Sequence, residues 1–354
     1  MNPPPAPTRG PRLHTKLAWC VLAPLIAMAG LEFVVVALDI APPRARPLSV
    51  WNADHDEELD SGEGDYRFHD GWLWEPRPGA TLYGDVVNAD GLRGEPVPRE
   101  PRPGLRIAAL GESVTFGMRV RAADAWPAVL ERLLRERGLD AQVLDFGVTG
   151  HTIAQGRELY LQRVSAWRPD VLIACFPGVN ESAPKSDGLD DLDKIQLVQR
   201  PAFRLRIYLD RFASVRWLAS LLGGHAAPSA LSQAPASATV TRLGTADFTK
   251  VIGQLREDTR DRGCSLLLVS AARSRRGETA QPELLEYTTA LEGIAAELAI
   301  PVADVRGAFA SAPVPESLLY LDTWHPTPQG HWLYALTILD ALERGGALGS
   351  AGSR

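Results

Sequence analysis

Three side chains in this sequence have the types and spacing needed to activate a hydroxyl for attack on a carbonyl: Ser113, Asp322 and His325. Such an attack needs a base to take the proton, a carboxylate to orient the base, and N–H donors for the developing oxyanion. His325 suits the base, because it alone among the seven histidines has an aspartate three residues earlier. On a tight turn Asp322 reaches back to the imidazole and fixes its tautomer. Gly150 offers a backbone N–H and close approach of substrate. Asn180 offers a side-chain amide, and Ser113 adds its own N–H. Taken singly each has a plainer reading: a turn serine, a tight-turn glycine, an Asx-turn asparagine, a loop histidine beside two prolines. Gly147 and Gly178 read as turn residues. His151 sits beside Gly150 and reads as a surface histidine or a substrate contact, and His331 falls in the first turn of the last helix.

These residues can meet only if the chain alternates strands and helices. Strand-like apolar runs cover Leu105–Leu110, Gln142–Phe146, Val171–Phe176, Ser265–Ser270 and Pro301–Val305. Helix-like runs cover Asp124–Arg137, Ile153–Trp167, Asp247–Arg262, Glu283–Leu298 and Gln329–Glu343. Asp124 is placed to cap the first of these, and Leu130, Leu133 and Leu134 mark its apolar face. Such alternation predicts an α/β fold, a five-stranded parallel sheet with helices on both faces. Right-handed crossovers then bring all the strand-end loops to one edge. Gly111-Glu112-Ser113, Phe146 to Gly150, Pro177 to Asn180 and Asp322 to Pro326 are four such loops.

Those four blocks, in this order, resemble the GDSL or SGNH hydrolase family of serine esterases, lipases, thioesterases and carbohydrate esterases. The resemblance covers Leu105 to Leu342 apart from an insertion. It matches Ser113 to the nucleophile, Gly150 and Asn180 to the second and third blocks, and Asp322 with His325 to the final Asp-x-x-His. It implies a three-layer α/β/α sandwich of flavodoxin-like order, an acyl-enzyme on Ser113, an oxyanion hole of Ser113, Gly150 and Asn180, and no cofactor or metal. Ala125-Trp126-Pro127 followed by Leu130 also resembles small bacterial members. One departure stands out: Glu112 replaces the usual aspartate, so a hydrogen bond holding the serine turn must be re-aimed. The Gly-x-Ser-x-Gly elbow of α/β-hydrolases is absent, because Thr115 occupies the second glycine position.

The chain of 354 residues is 45% hydrophobic and 23% charged, enough for a globular core. A net charge of −6 argues against nucleic acid as a partner. Cys20, Cys175 and Cys264 lie in apolar runs and read as inert packing residues. Residues 1–16 form a tail carrying Arg9, Arg12 and Lys16. Residues 17–40 are apolar except for Glu32 and Asp39, and about 20 such residues span a bilayer as a helix. The basic flank predicts an N-terminus inside and an exported remainder. Ala27-Met28-Ala29 offers a competing reading, cleavage as a signal peptide; the apolar run through Val36 favours an uncleaved anchor. Residues 41–104 read as an acidic tether followed by an aromatic-rich strap, 105–345 as the hydrolase domain with an insertion at 182–244, and 346–354 as a tail.

Within the insertion, Phe203 to Leu222 interleaves arginines with large apolar residues. It reads as a helix packed on the core, or as one lying on an anionic membrane surface or lining the cleft. Ala226 to Thr241 reads as a loop rich in Ala, Ser and Pro. The function expected is a membrane-anchored, exported serine hydrolase of lipid, acyl or O-acetyl-glycan esters. The alternatives are an O-acyltransferase acting on envelope glycans with the same site and a catalytically silent envelope scaffold.

Overall fold

The computed structural model describes residues 13–42, 64–100, 104–185, 188–222 and 240–346. The N-terminal tail, the acidic tether, the Ala226–Thr241 loop and the C-terminal tail lie mostly outside the described residues. The described residues fall into two compact units, one within 1–47 and 201–229, the other within 48–200 and 230–354.

The first unit holds helix α1 (Leu13–Ala37). Its stretch Ala18–Ala37 has a mean hydropathy of 2.3 and is the one described helix long and apolar enough to cross a membrane. The rest of this unit is a pair of nine-residue helices drawn from the insertion, taken up below.

The second unit is built on five parallel strands: β1 (Leu105–Gly111), β2 (Ala141–Gly147), β3 (Val171–Cys175), β4 (Ser265–Ser270) and β5 (Val302–Asp304). Their spatial order is β5-β4-β3-β1-β2. Every residue of β1 is buried, the pattern of a strand covered on both faces. β1 pairs with β2 along its whole length, Leu105 opposite Ala141 through Gly111 opposite Gly147. Its other edge pairs with β3. The chain leaves β1 toward β2 and later returns to the far side as β3, so the strand order reverses at the carboxyl end of β1. In open α/β sheets such a reversal opens a crevice for ligands.

Helices α2 (Trp126–Glu136) and α3 (Ile153–Gln162) follow β1 and β2, α6 (Thr245–Arg260) precedes β4, and α7 (Leu284–Glu297) and α8 (Pro328–Arg344) flank β5, numbering the insertion pair α4 (Pro201–Leu209) and α5 (Ala213–Leu221). α2 and α8 pack on one another over one face of the sheet, and α3, α6 and α7 associate over the other. Ile107, Ala109, Ile173 and Val269 bury against Trp126, Leu130, Tyr334 and Ile338 in the first of these layers.

Local detail departs from expectation in places. Asp124 caps nothing: it lies in a 3-10 turn, and α2 starts at Trp126 after Ala125 with a proline in its first turn. A proline there supplies the helical φ without losing a hydrogen bond. The helix expected over Ile153–Trp167 breaks at Arg163 into α3 and a 3-10 turn.

Upstream of the sheet, Tyr66–His69 and Leu73–Pro76 form an antiparallel hairpin. Trp72, Leu73 and Trp74 are buried, and buried Glu75 receives both Arg67 and Arg163. The end of β2 presses on the turn after β1. A Cβ placed on Gly147 meets the backbone nitrogen of Phe116 at 2.1 Å and its Cα at 2.7 Å. Gly147→Ala is expected to lower stability by about 1–3 kcal/mol, the usual cost of overpacking. A urea unfolding midpoint unchanged from wild type contradicts this close approach.

Candidate active site

The loops at the carboxyl ends of β1, β2 and β3, with the segment before α8, converge on one cleft of about 230 Å³. Glu112, Ser113, Gly150, Asn180, Trp324 and His325 are among its lining residues. Ser113 opens a one-turn helix, Ser113–Phe116. At that position a backbone N–H has no intrahelical acceptor. Gly111, just before, takes no side chain: a Cβ there meets Thr115 Oγ1 at 2.1 Å and the Cys175 carbonyl oxygen at 2.6 Å.

Ser113 Oγ lies 3.1 Å from His325 Nε2. His325 Nδ1 lies 2.9 Å and 3.0 Å from the two carboxylate oxygens of Asp322. A carboxylate only accepts, so Nδ1 carries the proton and Nε2 is left as an acceptor facing the serine hydroxyl. Asp322 Oδ1 also accepts the backbone N–H groups of Trp324 and His325, each at 2.8 Å. Burial pushes the Asp322 carboxyl up, but the Trp324 N–H, the His325 ring and the His325 N–H together outweigh it. The carboxyl is held well below the usual range and stays charged beside the imidazole. Three residues expected from their types therefore stand in a hydrogen-bonded row.

Gly150 has φ +80, a left-handed conformation that suits glycine. Its carbonyl accepts from Arg242 Nη1 at 2.7 Å. Asn180 Nδ2 donates to the His151 carbonyl at 3.1 Å and toward Glu112 Oε2 at 3.3 Å. Glu112 uses both oxygens. Oε1 caps the turn by accepting Val114 N–H at 2.9 Å, and Oε2 accepts from Ser113 Oγ at 2.5 Å. The extra methylene relative to aspartate is what carries Oε2 to the hydroxyl. The serine proton thus has two acceptors, Glu112 and His325, and can serve one at a time.

His151 is neither a surface residue nor a substrate contact. It is fully buried, and Nε2 lies 2.9 Å from the Trp74 carbonyl, so this ring carries its proton on Nε2. Burial lowers its pKa to about 3, so it stays neutral. Trp74 also donates through Nε1 to the Thr149 carbonyl at 3.0 Å. The upstream hairpin therefore grips the Gly150 loop from both ends. His331 does lie in the first turn of α8, where it is buried and accepts the Trp126 N–H through Nδ1.

Several arginines shape the site without having shown themselves in the sequence. Arg93 donates to the carbonyls of Phe116 and Val120, clamping the turn that follows Ser113. Arg119 Nη1 donates to Asp322 Oδ2 at 2.8 Å across 203 residues of chain. Arg273 holds the Pro177 carbonyl beneath the third loop, and Ser274 Oγ holds the Thr323 carbonyl beneath the fourth. Arg242, nearly buried, pairs with fully buried Asp191 at 2.8 Å while holding Gly150 and Gln155. None of these lies next in sequence to the residue it serves, so no local pattern announces it. Among the described residues no cluster of three or more His, Cys, Asp or Glu side chains is placed to hold a metal ion.

Residues 109–333 match the model of the GDSL-like Lipase/Acylhydrolase family. The chain belongs to this family. It is a GDSL-type serine esterase with the α/β fold described above. Comparison with curated proteins finds no match. Among solved structures, the lipase/acylhydrolase from Enterococcus faecalis is similar at 16% identity and a TM-score of 0.46, over 68% of this chain and 96% of that one. A single-residue variant of Axe2, an acetyl xylan esterase from Geobacillus stearothermophilus, is similar at 16% identity and a TM-score of 0.45, over 68% of this chain and 95% of that one.

Removing one partner of a buried ion pair strands the other, at a cost of about 3–5 kcal/mol. Arg242→Gln in this esterase is expected to lose stability in that range, and Arg242→Gln with Asp191→Asn to recover part of it. Equal unfolding midpoints for the single variant and wild type contradict the pair's role.

Proposed function

We propose that Ser113 attacks the carbonyl carbon of a carboxylic ester and carries the acyl group as a covalent intermediate. His325 Nε2 takes the hydroxyl proton and returns it to the departing alcohol. Asp322 orients His325 and stabilises its charged form. The N–H groups of Ser113 and Gly150 meet the oxyanion, joined by the Asn180 amide as it gives up its long 3.3 Å contact with Glu112 Oε2. Water, deprotonated in turn by His325, then attacks the acyl carbon, releases the acid and restores Ser113. The reading rests on the row Ser113 Oγ, His325 Nε2, His325 Nδ1, Asp322 Oδ2, with links of 3.1 Å and 2.9 Å.

The substrate proposed is a lipid, acyl or O-acetyl-glycan ester. Support comes from the cleft, in which Val114, Met118, Val179, Ala272 and Trp324 surround the polar residues. α1 is proposed as an uncleaved anchor that leaves the hydrolase domain outside the cytoplasm. At about 1.5 Å per residue its 25 residues reach about 37 Å, more than the roughly 30 Å apolar core of a bilayer. The basic residues Arg9, Arg12 and Lys16 precede it, the arrangement that keeps an N-terminus inside.

Two outcomes follow. The full-length protein in detergent is expected to hydrolyse p-nitrophenyl acetate, and Ser113→Ala to reduce kcat on the order of a millionfold. A folded Ser113→Ala variant as active as wild type sinks the proposal, and transfer of acetyl to an added glycan in preference to water turns it toward an acyltransferase. Glu112→Asp keeps the Val114 cap within reach and withdraws the carboxylate from the serine hydroxyl. Releasing one competing hydrogen bond of about 0.5–1.5 kcal/mol is expected to raise kcat roughly threefold to tenfold. A fall in kcat for a stably folded Glu112→Asp indicates that Glu112 assists the hydroxyl instead of competing for it.

A further inference from the structure

Helix α1 carries one acidic side chain in the span Ala18–Ala37, Glu32, and that carboxylate is fully engaged. Oε1 accepts the Ala213 N–H at 2.8 Å, and Oε2 accepts the Ser214 N–H at 2.8 Å and its hydroxyl at 2.5 Å. Ala213 and Ser214 are the first residues of α5, so Glu32 caps that helix from a position 181 residues earlier in the chain. A carboxylate is favoured at the positive end of a helix, and an ionisable group in an apolar span needs such a partner. Just beyond the end of α1, Arg216 Nε donates to the Pro42 carbonyl at 3.0 Å, and Val35 between these contacts is 1% exposed. The start of α5 is therefore fixed against the last two turns of α1.

The pair α4 and α5 buries Phe203 and Ala213 but leaves most of its larger apolar side chains uncovered. Leu205, Tyr208, Leu218, Leu221 and Leu222 are exposed, Leu222 at 87%. Exposed apolar area of this kind marks a surface that meets something. The span to which α5 is tied is also apolar and exposed, with Phe33 at 75%. Among charged residues the segment Pro201–Leu222 holds four arginines against Asp210 alone. Apolar and aromatic side chains interleaved with arginine suit the boundary between acyl chains and anionic headgroups.

We propose that α4 and α5 are a second membrane contact, seated in the outer leaflet boundary beside the end of α1 and clipped there by Glu32. The occupant of the exposed face is the lipid surface, since that face combines exposed apolar side chains with arginines and its helix is tied to the end of the apolar span. This rests on the reading of α1 as an anchor. It gives the insertion between β3 and β4 the task of holding the esterase at the bilayer through a point distant in sequence from the anchor.

The test uses the full-length protein, with Cys20→Ala, in vesicles of phosphatidylcholine and phosphatidylglycerol. Cys175 and Cys264 are buried and stay unlabelled in the native state. An environment-sensitive nitrobenzoxadiazole dye is attached through Tyr208→Cys or Leu221→Cys, with Phe33→Cys in α1 and Leu285→Cys on α7 as references. Doxyl-labelled lipid is expected to quench the dye at Tyr208 and Leu221 at least half as strongly as at Phe33, and to leave Leu285 unquenched. Glu32→Leu keeps the span apolar but removes the clip; quenching at Leu221 is expected to fall at least twofold with Phe33 unchanged. Quenching at Phe33 with none at Tyr208 and Leu221 overturns this inference and leaves the anchor standing, whether the dye there is in water or under a second copy of the chain. No quenching at Phe33 overturns the anchor itself. Unaltered quenching at Leu221 in Glu32→Leu overturns the clip.

Discussion

The His325 ring sits between two oxygen atoms with opposite demands, and the domain is arranged to keep it there. On one side Asp322 must remain charged and correctly aimed. Two backbone N–H groups and Arg119 share that carboxylate with the ring, so its position is set from three directions. On the other side Ser113 must be presented at the top of β1 by a turn with no room for error. Gly111 and Gly147 supply the space, Arg93 grips the turn from outside, and Glu112 caps it from within. A row of hydrogen bonds aligned to a few tenths of an ångström demands rotamers locked by neighbours, and these neighbours do the locking.

The same logic governs the Gly150 loop. In the oxyanion role proposed for it Gly150 must turn its N–H into the cleft, and its backbone is held in a left-handed conformation. Buried Arg242 secures the carbonyl of that residue while Asp191 neutralises the guanidinium, and Trp74 secures the residue before it. Polar groups removed from water must be fully paired or they destabilise the fold. Here the pairing also fixes a loop at the cleft.

Much of this plan was legible in the sequence because it depends on local pattern. Five apolar runs alternating with amphipathic ones defined the sheet, and sheet topology alone brings strand-end loops together. Asp322 and His325 are three residues apart on one turn, so their contact is almost a property of the segment. What was hidden depends on contacts between distant parts. His151 looked exposed because it sits in a loop beside a glycine; burial comes from Trp74, which lies in another element. Arg242 and Arg273 resemble ordinary surface arginines until folding encloses them, and half-exposed Arg119 shows its place only where it meets Asp322. Asp124 looked like a cap, yet the Trp126-Pro127 pair set the start of α2 two residues further on. Glu112 was visible as a departure, but only coordinates show that the longer side chain reaches the serine hydroxyl.

The hairpin at 66–76 alters where the esterase begins as a working body. The family match starts at Ala109 and the first sheet strand at Leu105, so a boundary drawn by resemblance falls downstream of Trp74. Yet the Thr149 and Trp74 backbones, the buried His151 ring and the Arg163 partner Glu75 are joined across that boundary. The body joined by these contacts is therefore longer than the part that matches the family model, and its upstream extension braces the loop that carries Gly150.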